Sequence, residues 1–145
     1  MSRVNVNNAC STAAPTQTSI PCTIVKAVIS FNGDPVSGLA STSPPFPSST
    51  PVRNPAGVEI ATSWTDLLSN GASPAIAPSP DYAYWTGSTP TGDYDSSQSC
   101  SNWVSGSPTT GAFGYSGFTG NNWVRDGIVG CDTILDLLCL CYWPG

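Results

Sequence analysis

Six cysteines constrain this 145-residue chain more than any other feature. Cys10 and Cys22 lie near the start, and Cys100, Cys131, Cys139 and Cys141 lie in the last third. The chain has no histidine. That many cysteines in a His-free chain point to disulfides in an oxidising compartment. A zinc site would need all-thiolate ligands held reduced, so no metal and no cofactor is expected. Four of the cysteines share the stretch 84–141 with Trp85, Trp103 and Trp123, separated by Gly/Ser/Thr-rich segments. Such a stretch is the writing of a small, disulfide-pinned β domain.

Composition narrows the function classes. Only 9% of residues are charged, against roughly 25% in ordinary soluble domains. Five Trp, five Tyr and four Phe argue against disorder, which needs few aromatics and high charge. The four basic residues, Arg3, Lys26, Arg53 and Arg125, cannot line a phosphate backbone, so nucleic-acid binding is not expected. No apolar stretch approaches the ~18 residues that a membrane-spanning helix requires. The first eight residues, Met-Ser-Arg-Val-Asn-Val-Asn-Asn, have no apolar core of a secretion leader. The expected location is extracellular, on a virion surface or a cell surface. It is reached after loss of a leader or without one, as virion proteins released by lysis do.

Residues 1–23 read as a polar arm or irregular loop, and 24–145 as one domain. Thr23–Phe31 is β-branched and bounded by Pro21 and the turn Asn32-Gly33-Asp34-Pro35, which predicts a strand. The Pro/Ser/Thr segment 41–51 can hold neither a helix nor a central strand. Val58–Ala61 predicts a short strand. Thr62–Leu68 predicts one helical turn, capped by Ser63 or Thr62, that carries Trp64, Leu67 and Leu68 and stops at Asn70-Gly71. Residues 72–81 read as loop, Tyr82–Thr86 and Cys100–Val104 as strands, and 105–122 as a long Gly-rich loop. Asp126-Gly127 is a hairpin signal between Trp123-Val124 and Ile128-Val129. In the last element the alternation of Cys139 and Cys141 favours a strand with both sulfurs on one side.

Taken together, Ala56-Gly57-Val58-Glu59-Ile60-Ala61-Thr62-Ser63-Trp64-Thr65-Asp66-Leu67-Leu68, Tyr84-Trp85-Thr86-Gly87, Cys100-Ser101-Asn102-Trp103, Trp123, Cys131 and Cys139 form an ordered set. Its order and spacing resemble the C-type-lectin-like, endostatin-like domain of bacterial surface lipoproteins, a family of undefined function. The resemblance covers roughly residues 52–143, with a weaker echo in Asn32–Ala40. It implies a mainly β, α+β fold with a C-type-lectin-like core, and a bridge between Cys100 and Cys131. The family's first helix normally carries a cysteine. Here the Pro-rich segment 41–51 stands in its place, so the helical layer is expected to be reduced and Cys139 needs another partner. Cysteines one residue apart bridge poorly. Cys139 and Cys141 are therefore expected to reach back to Cys10 and Cys22, the rival being a local Cys10–Cys22 loop.

Without histidine, Ser-His-Asp and Cys-His catalysis is excluded. Asp81, Asp93 and Asp95 read as solvated turn acids rather than calcium ligands, which would need six to eight oxygens. The lectin calcium motifs are absent, and Asn121-Asn122-Trp123 is only a faint relative of them. The aromatic residues Phe113, Tyr115 and Phe118 of segment 105–122, with Asn121, Asn122 and Arg125 beside them, form the candidate binding surface. Trp64, Trp85, Trp103 and Trp123 read as core, and the Trp143-Pro144-Gly145 end as a contact for a neighbouring subunit. The expected role is non-enzymatic surface display: binding or adhesion to a protein or glycan. The alternatives are a structural subunit of a fibre or shell, with homo-oligomeric contacts, and a secreted hydrolase that uses a carboxylate pair.

Overall fold

The computed structural model describes residues 1–77, 79–104, 106 and 108–145. Pro78, in the predicted loop 72–81, and Ser105 and Ser107, in the predicted loop 105–122, lie outside the described residues.

The middle of the molecule is a two-faced strand. β1 (Ile24–Ala27) continues in extended form to Phe31, and its side chains alternate between two apolar clusters. Ile24 and Val28 face a cluster built on Val36, Leu39, Phe46, Ile60, Trp64, Leu67, Trp123 and Val124. Val25, Ala27, Ile29 and Phe31 face a second cluster with Val6, Cys10, Cys100 and Trp103. A strand buried on both faces needs apolar residues at consecutive positions, and Ala27-Val28-Ile29 is such a run. The last strand, β7 (Cys139–Tyr142), pairs with β1 antiparallel, Ile24 opposite Tyr142 and Ala27 opposite Cys139. It shares the alternation: Leu138, Leu140 and Tyr142 join the first cluster and Leu137 the second.

The segment read as an arm is a helix, α1 (Arg3–Gln17), which overturns the expectation of an irregular 1–23. It begins with Ser2, whose side chain caps the Asn5 N–H. Its buried residues are only Val6 and Cys10, four apart on one face, and Pro15 lies inside its last turn. No wide apolar stripe announces it. Polar side chains attach it instead to the free edge of β1. Asn7 Oδ1 accepts from the Ala27 N–H at 2.8 Å. The Arg3 guanidinium donates to the carbonyls of Ala27 and Ile29 and pairs with Asp34 at 2.7 Å. An exposed strand edge invites pairing with other chains, and here a helix closes it.

Three disulfides complete this arrangement. Cys10–Cys139 and Cys22–Cys141 tie α1 and its exit to β7, so the expected reach of Cys139 and Cys141 back to Cys10 and Cys22 holds and the local Cys10–Cys22 loop does not form. Cys100–Cys131 is the third bridge. In the chain-entropy model the 129-residue closure by Cys10–Cys139 contributes roughly 5 kcal/mol; once it is formed, Cys22–Cys141 closes a ring of only about fourteen further residues and adds roughly 3 kcal/mol.

β2 (Val52–Arg53) and β3 (Glu59–Ala61) form a small antiparallel pair, followed by α2 (Trp64–Asn70). Ser63 is the cap, its oxygen accepting from the Asp66 N–H at 2.9 Å. Gly71 ends the helix at φ +80°, and a Cβ there would lie 2.2 Å from the Gly120 backbone. The second sheet runs β4 (Ala83–Trp85), β5 (Thr110–Tyr115), β6 (Gly127–Gly130), all antiparallel. Segment 105–122 is therefore not one long loop: β5 is the central strand of this sheet. Its glycines mark close approach rather than freedom to bend. A Cβ on Gly111 would meet Cys100 Sγ at 2.8 Å, and one on Gly114 would meet the Trp123 carbonyl at 2.2 Å. Asp126-Gly127 is likewise not a hairpin turn, because Asp126 already donates to the Phe113 carbonyl at 2.8 Å and β6 starts at Gly127. The chain is mixed α/β, with modest helix content and several short antiparallel strands.

The predicted strand Cys100–Val104 is one turn of left-handed helix, α3 (Cys100–Trp103), with φ of +52°, +55°, +57° and +67° at its four residues. This conformation costs roughly 1–2 kcal/mol per non-glycine residue. It persists because its surroundings hold it. Cys100 is bridged to Cys131, the Trp103 indole donates to the Ser30 carbonyl at 2.7 Å, and Asn102 Oδ1 accepts from the Asn32 N–H at 2.9 Å. Ser101 is exposed and its backbone sits at φ +55°, ψ +52°. Ser101→Gly is expected to raise the melting temperature by about 3 °C, the equivalent of ~1 kcal/mol in a chain of this length. A thermal melt with an unchanged or lower midpoint would contradict strain at this turn.

Candidate functional site

The exposed end of the second sheet carries the aromatic residues that the sequence singled out. Odd-numbered positions of β5 share one face, so Phe113 and Tyr115 project together, opposite Gly127 and Ala83 respectively. Just after β5 the chain turns, and the Phe118 ring lies 5.0 Å from that of Tyr115, tilted by 54°. Phe118 is 54% exposed, while Phe113 and Tyr115 are half-buried. The glycine between them, Gly117, is needed there, since a Cβ would lie 2.7 Å from the Tyr115 ring.

One carboxylate borders these rings, and the field of a second reaches them. Asp81 accepts the hydrogen bond of the Tyr115 hydroxyl. On the β6 side, Asn122 Nδ2 donates to Asp126 Oδ1 at 2.7 Å, and Asp126 is anchored by its N–H to Phe113. The Tyr115 hydroxyl is pushed above its ordinary range, first by the bond to Asp81, which requires the proton, then by partial burial and the negative fields of Asp81 and Asp126. Tyr84, on the opposite face of β4, is pushed up chiefly by burial. Its hydroxyl donates to the Trp123 carbonyl at 2.8 Å.

Not every predicted site residue joins this face. Arg125 turns away to Asp95, at 2.9 Å, and to the Ser88 carbonyl, at 2.8 Å. Burial pushes Asp95 up, but the bonds from Arg125 and Ser97 outweigh it and hold the carboxyl below its usual range. Asn121 contributes its carbonyl to the short 3₁₀ turn Asn121–Trp123, accepting from the Val124 and Arg125 N–H groups at 3.1 Å. Asp81, Asp93 and Asp95, weighed in the sequence as a cluster, are engaged separately. Asp93 accepts from Ser37 and Thr91, both at 3.0 Å. The residue that sequence reading missed as part of the face is Asp81. The available signal was register, because Asp81 lies two residues before Ala83, the partner of Tyr115. Of the four tryptophans read as core, Trp64, Trp103 and Trp123 are buried and Trp85 is half-buried against Trp103, with ring centroids 5.8 Å apart.

Among known proteins, no family model matches this chain and no curated protein matches it in sequence.

The raised Tyr115 hydroxyl gives a signed pH effect. Its folded-state value lies above the ~10 of an unfolded tyrosine, so the stabilisation is present below about pH 10 and is lost as pH rises through the folded value. Tyr84 acts with the same sign. Asp81→Asn is expected to bring the ionisation of one tyrosine to lower pH in an ultraviolet-monitored alkaline titration, and to make the loss of stability above pH ~10 shallower. A titration curve superimposable on that of the wild type would contradict the pairing.

Proposed function

We propose that this chain is a non-enzymatic extracellular binding domain, displayed on a virion or cell surface, that holds a protein or glycan against the face formed by Phe113, Tyr115 and Phe118. The observation that carries this reading is the exposure of Phe118 beside Tyr115 on a sheet end fixed by a disulfide and a packed indole pair. Rigid aromatic side chains that keep their exposure without a covering partner are the groups enriched at recognition surfaces. The three disulfides suit an oxidising exterior. The C-type-lectin-like core is part of this proposal. It rests on the ordered motifs and on the bond between Cys100 and Cys131, which the resemblance implies. Absence of catalysis is also part of it. A glycosidase acid needs a carboxyl raised toward neutrality, and Asp95 and Asp66, moved the other way, Asp66 by its bonds from Asn70 and Thr62, do not fit that part.

A second reading, a structural subunit of a fibre or shell, draws on a different surface. Ile134 is 96% exposed and Trp143 46% exposed, on the two sides of β7 in sequence. Light scattering on the native chain separates the two, because a strict monomer at high concentration removes the subunit reading.

Phe118→Ala is expected to abolish capture of the wild-type partner on glycan and cell-surface-protein arrays. The fold is expected to be unaffected, since substitution of an exposed side chain typically changes stability by less than ~0.5 kcal/mol. Arrays that stay empty for the wild type, with turnover in a glycosidase screen, would instead favour the hydrolase.

A further inference from the structure

We propose that the Tyr115–Phe118 face takes a cationic side chain, an arginine or lysine presented by a partner protein. This rests on the binding-face reading and specifies its ligand chemistry. Aromatic rings bind cations over their faces, more strongly where the cation is also drawn by carboxylates. Here the two rings stand 5.0 Å apart, with Asp81 bonded to the rim of one and Asp126 on the neighbouring strand side.

The charge inventory makes the face selective. All four basic side chains of the protein are engaged elsewhere. Arg3 pairs with Asp34 at 2.7 Å, Arg53 with Glu59 at 3.9 Å and Arg125 with Asp95 at 2.9 Å. Lys26 is buried, its ammonium donating to the carbonyls of Leu39 and Thr42 and to the Thr42 hydroxyl at 2.6–3.0 Å. Neither Asp81 nor Asp126 is in an ion pair among the described residues. Their negative field reaches the rings, as the displaced Tyr115 hydroxyl registers. The protein also solves the same recognition problem internally twice: the Arg3 guanidinium stands 5.1 Å over the Phe31 ring beside Asp34, and the Lys26 ammonium 5.3 Å over Phe46. A phosphate or sulfated glycan would meet the Asp81 carboxylate and the field of Asp126 with no basic side chain to offset them.

The test uses the native, disulfide-bonded chain and two capped peptides of alternating residues, glycine with arginine and glycine with citrulline, the latter matched in shape but uncharged. Binding is read from the ring-proton shifts of Tyr115 and Phe118. The arginine peptide is expected to move both rings, with an affinity that falls as salt rises, and the citrulline peptide to bind at least roughly tenfold more weakly. Asp81→Asn and Phe118→Ala are each expected to weaken the arginine peptide by about tenfold. Equal binding of the two peptides, or ring shifts produced by a neutral glycan and not by the arginine peptide, would overturn the cation assignment and leave the binding face standing. Arginine-peptide binding unchanged in both variants would overturn the location. Rings unmoved by either peptide or by any arrayed ligand would overturn the face and the cation assignment together.

Discussion

The structure depends on the alternation of side chains along 24–31. Because successive residues of an extended chain point to opposite sides, this one segment supplies both apolar clusters, Val28 to one and Ala27, Ile29 and Phe31 to the other. A strand in that position must have both edges satisfied, since water cannot reach them. One edge is paired with β7. The other is met by the side chains of Asn7 and Arg3, projected from a helix. The two disulfides between the α1 region and β7 then hold the covers of both edges to each other. Two of the three bridges thus serve a single strand that they do not touch in sequence.

The second sheet is coupled to that partition through a small buried polar hub. Ser30 donates its N–H to the Thr86 carbonyl at 2.8 Å, accepts the Trp103 indole at its own carbonyl at 2.7 Å, and shares a hydroxyl contact with Ser88 at 2.8 Å. A buried polar network is useful only when its members are satisfied, and these are. The left-handed turn α3 is the local cost of bringing Trp103 to Ser30 while Cys100 reaches Cys131. Strain of this kind persists only where neighbours over-determine it. Here those neighbours also immobilise the inner end of β5, whose outer end carries Phe113 and Tyr115.

Where one local interaction dominates, the sequence was legible. Ser63 as a cap, Gly71 as a stop, β3 and the one-sided cysteines of β7 follow from rules acting over a few residues. The misses share a cause. α1 has only Val6 and Cys10 buried and carries a proline, so its stability comes from Arg3, Asn7 and a disulfide, all long-range. β5 was hidden because Gly111 and Gly114 are signals of a loop in one dimension and of contact with Cys100 and Trp123 in three. α3 was hidden because only Asn102 of Cys-Ser-Asn-Trp tolerates positive φ readily, and four such residues in a row are imposed by tertiary bonds. At the site, the aromatic trio was visible as residues. Its carboxylate neighbour Asp81 was not, since it comes from register across strands, and the engagement of Arg125 with Asp95 was hidden because that pair spans thirty residues of chain.

Scarcity of charge gives these pairings their consequence. In a chain with many lysines and arginines, an ion pair such as Arg125–Asp95 is one among many and contributes little. In this one, with four cations against nine acids, Arg3, Arg125 and Lys26 are each tied into the fold, Lys26 without a carboxylate partner at all, and only Arg53 sits in an exposed, loose pair with Glu59. Burial pushes the Lys26 ammonium down, Arg3 adds to this, and Asp34 opposes it. The three oxygens and the Phe46 ring around it are the groups that keep a buried ammonium bonded. With three of the four cations spent on the interior and its edges, the acids left without ion partners give the surface its sign. The cation proposed for the aromatic face is favoured by what the fold has removed from its neighbourhood as much as by the rings themselves.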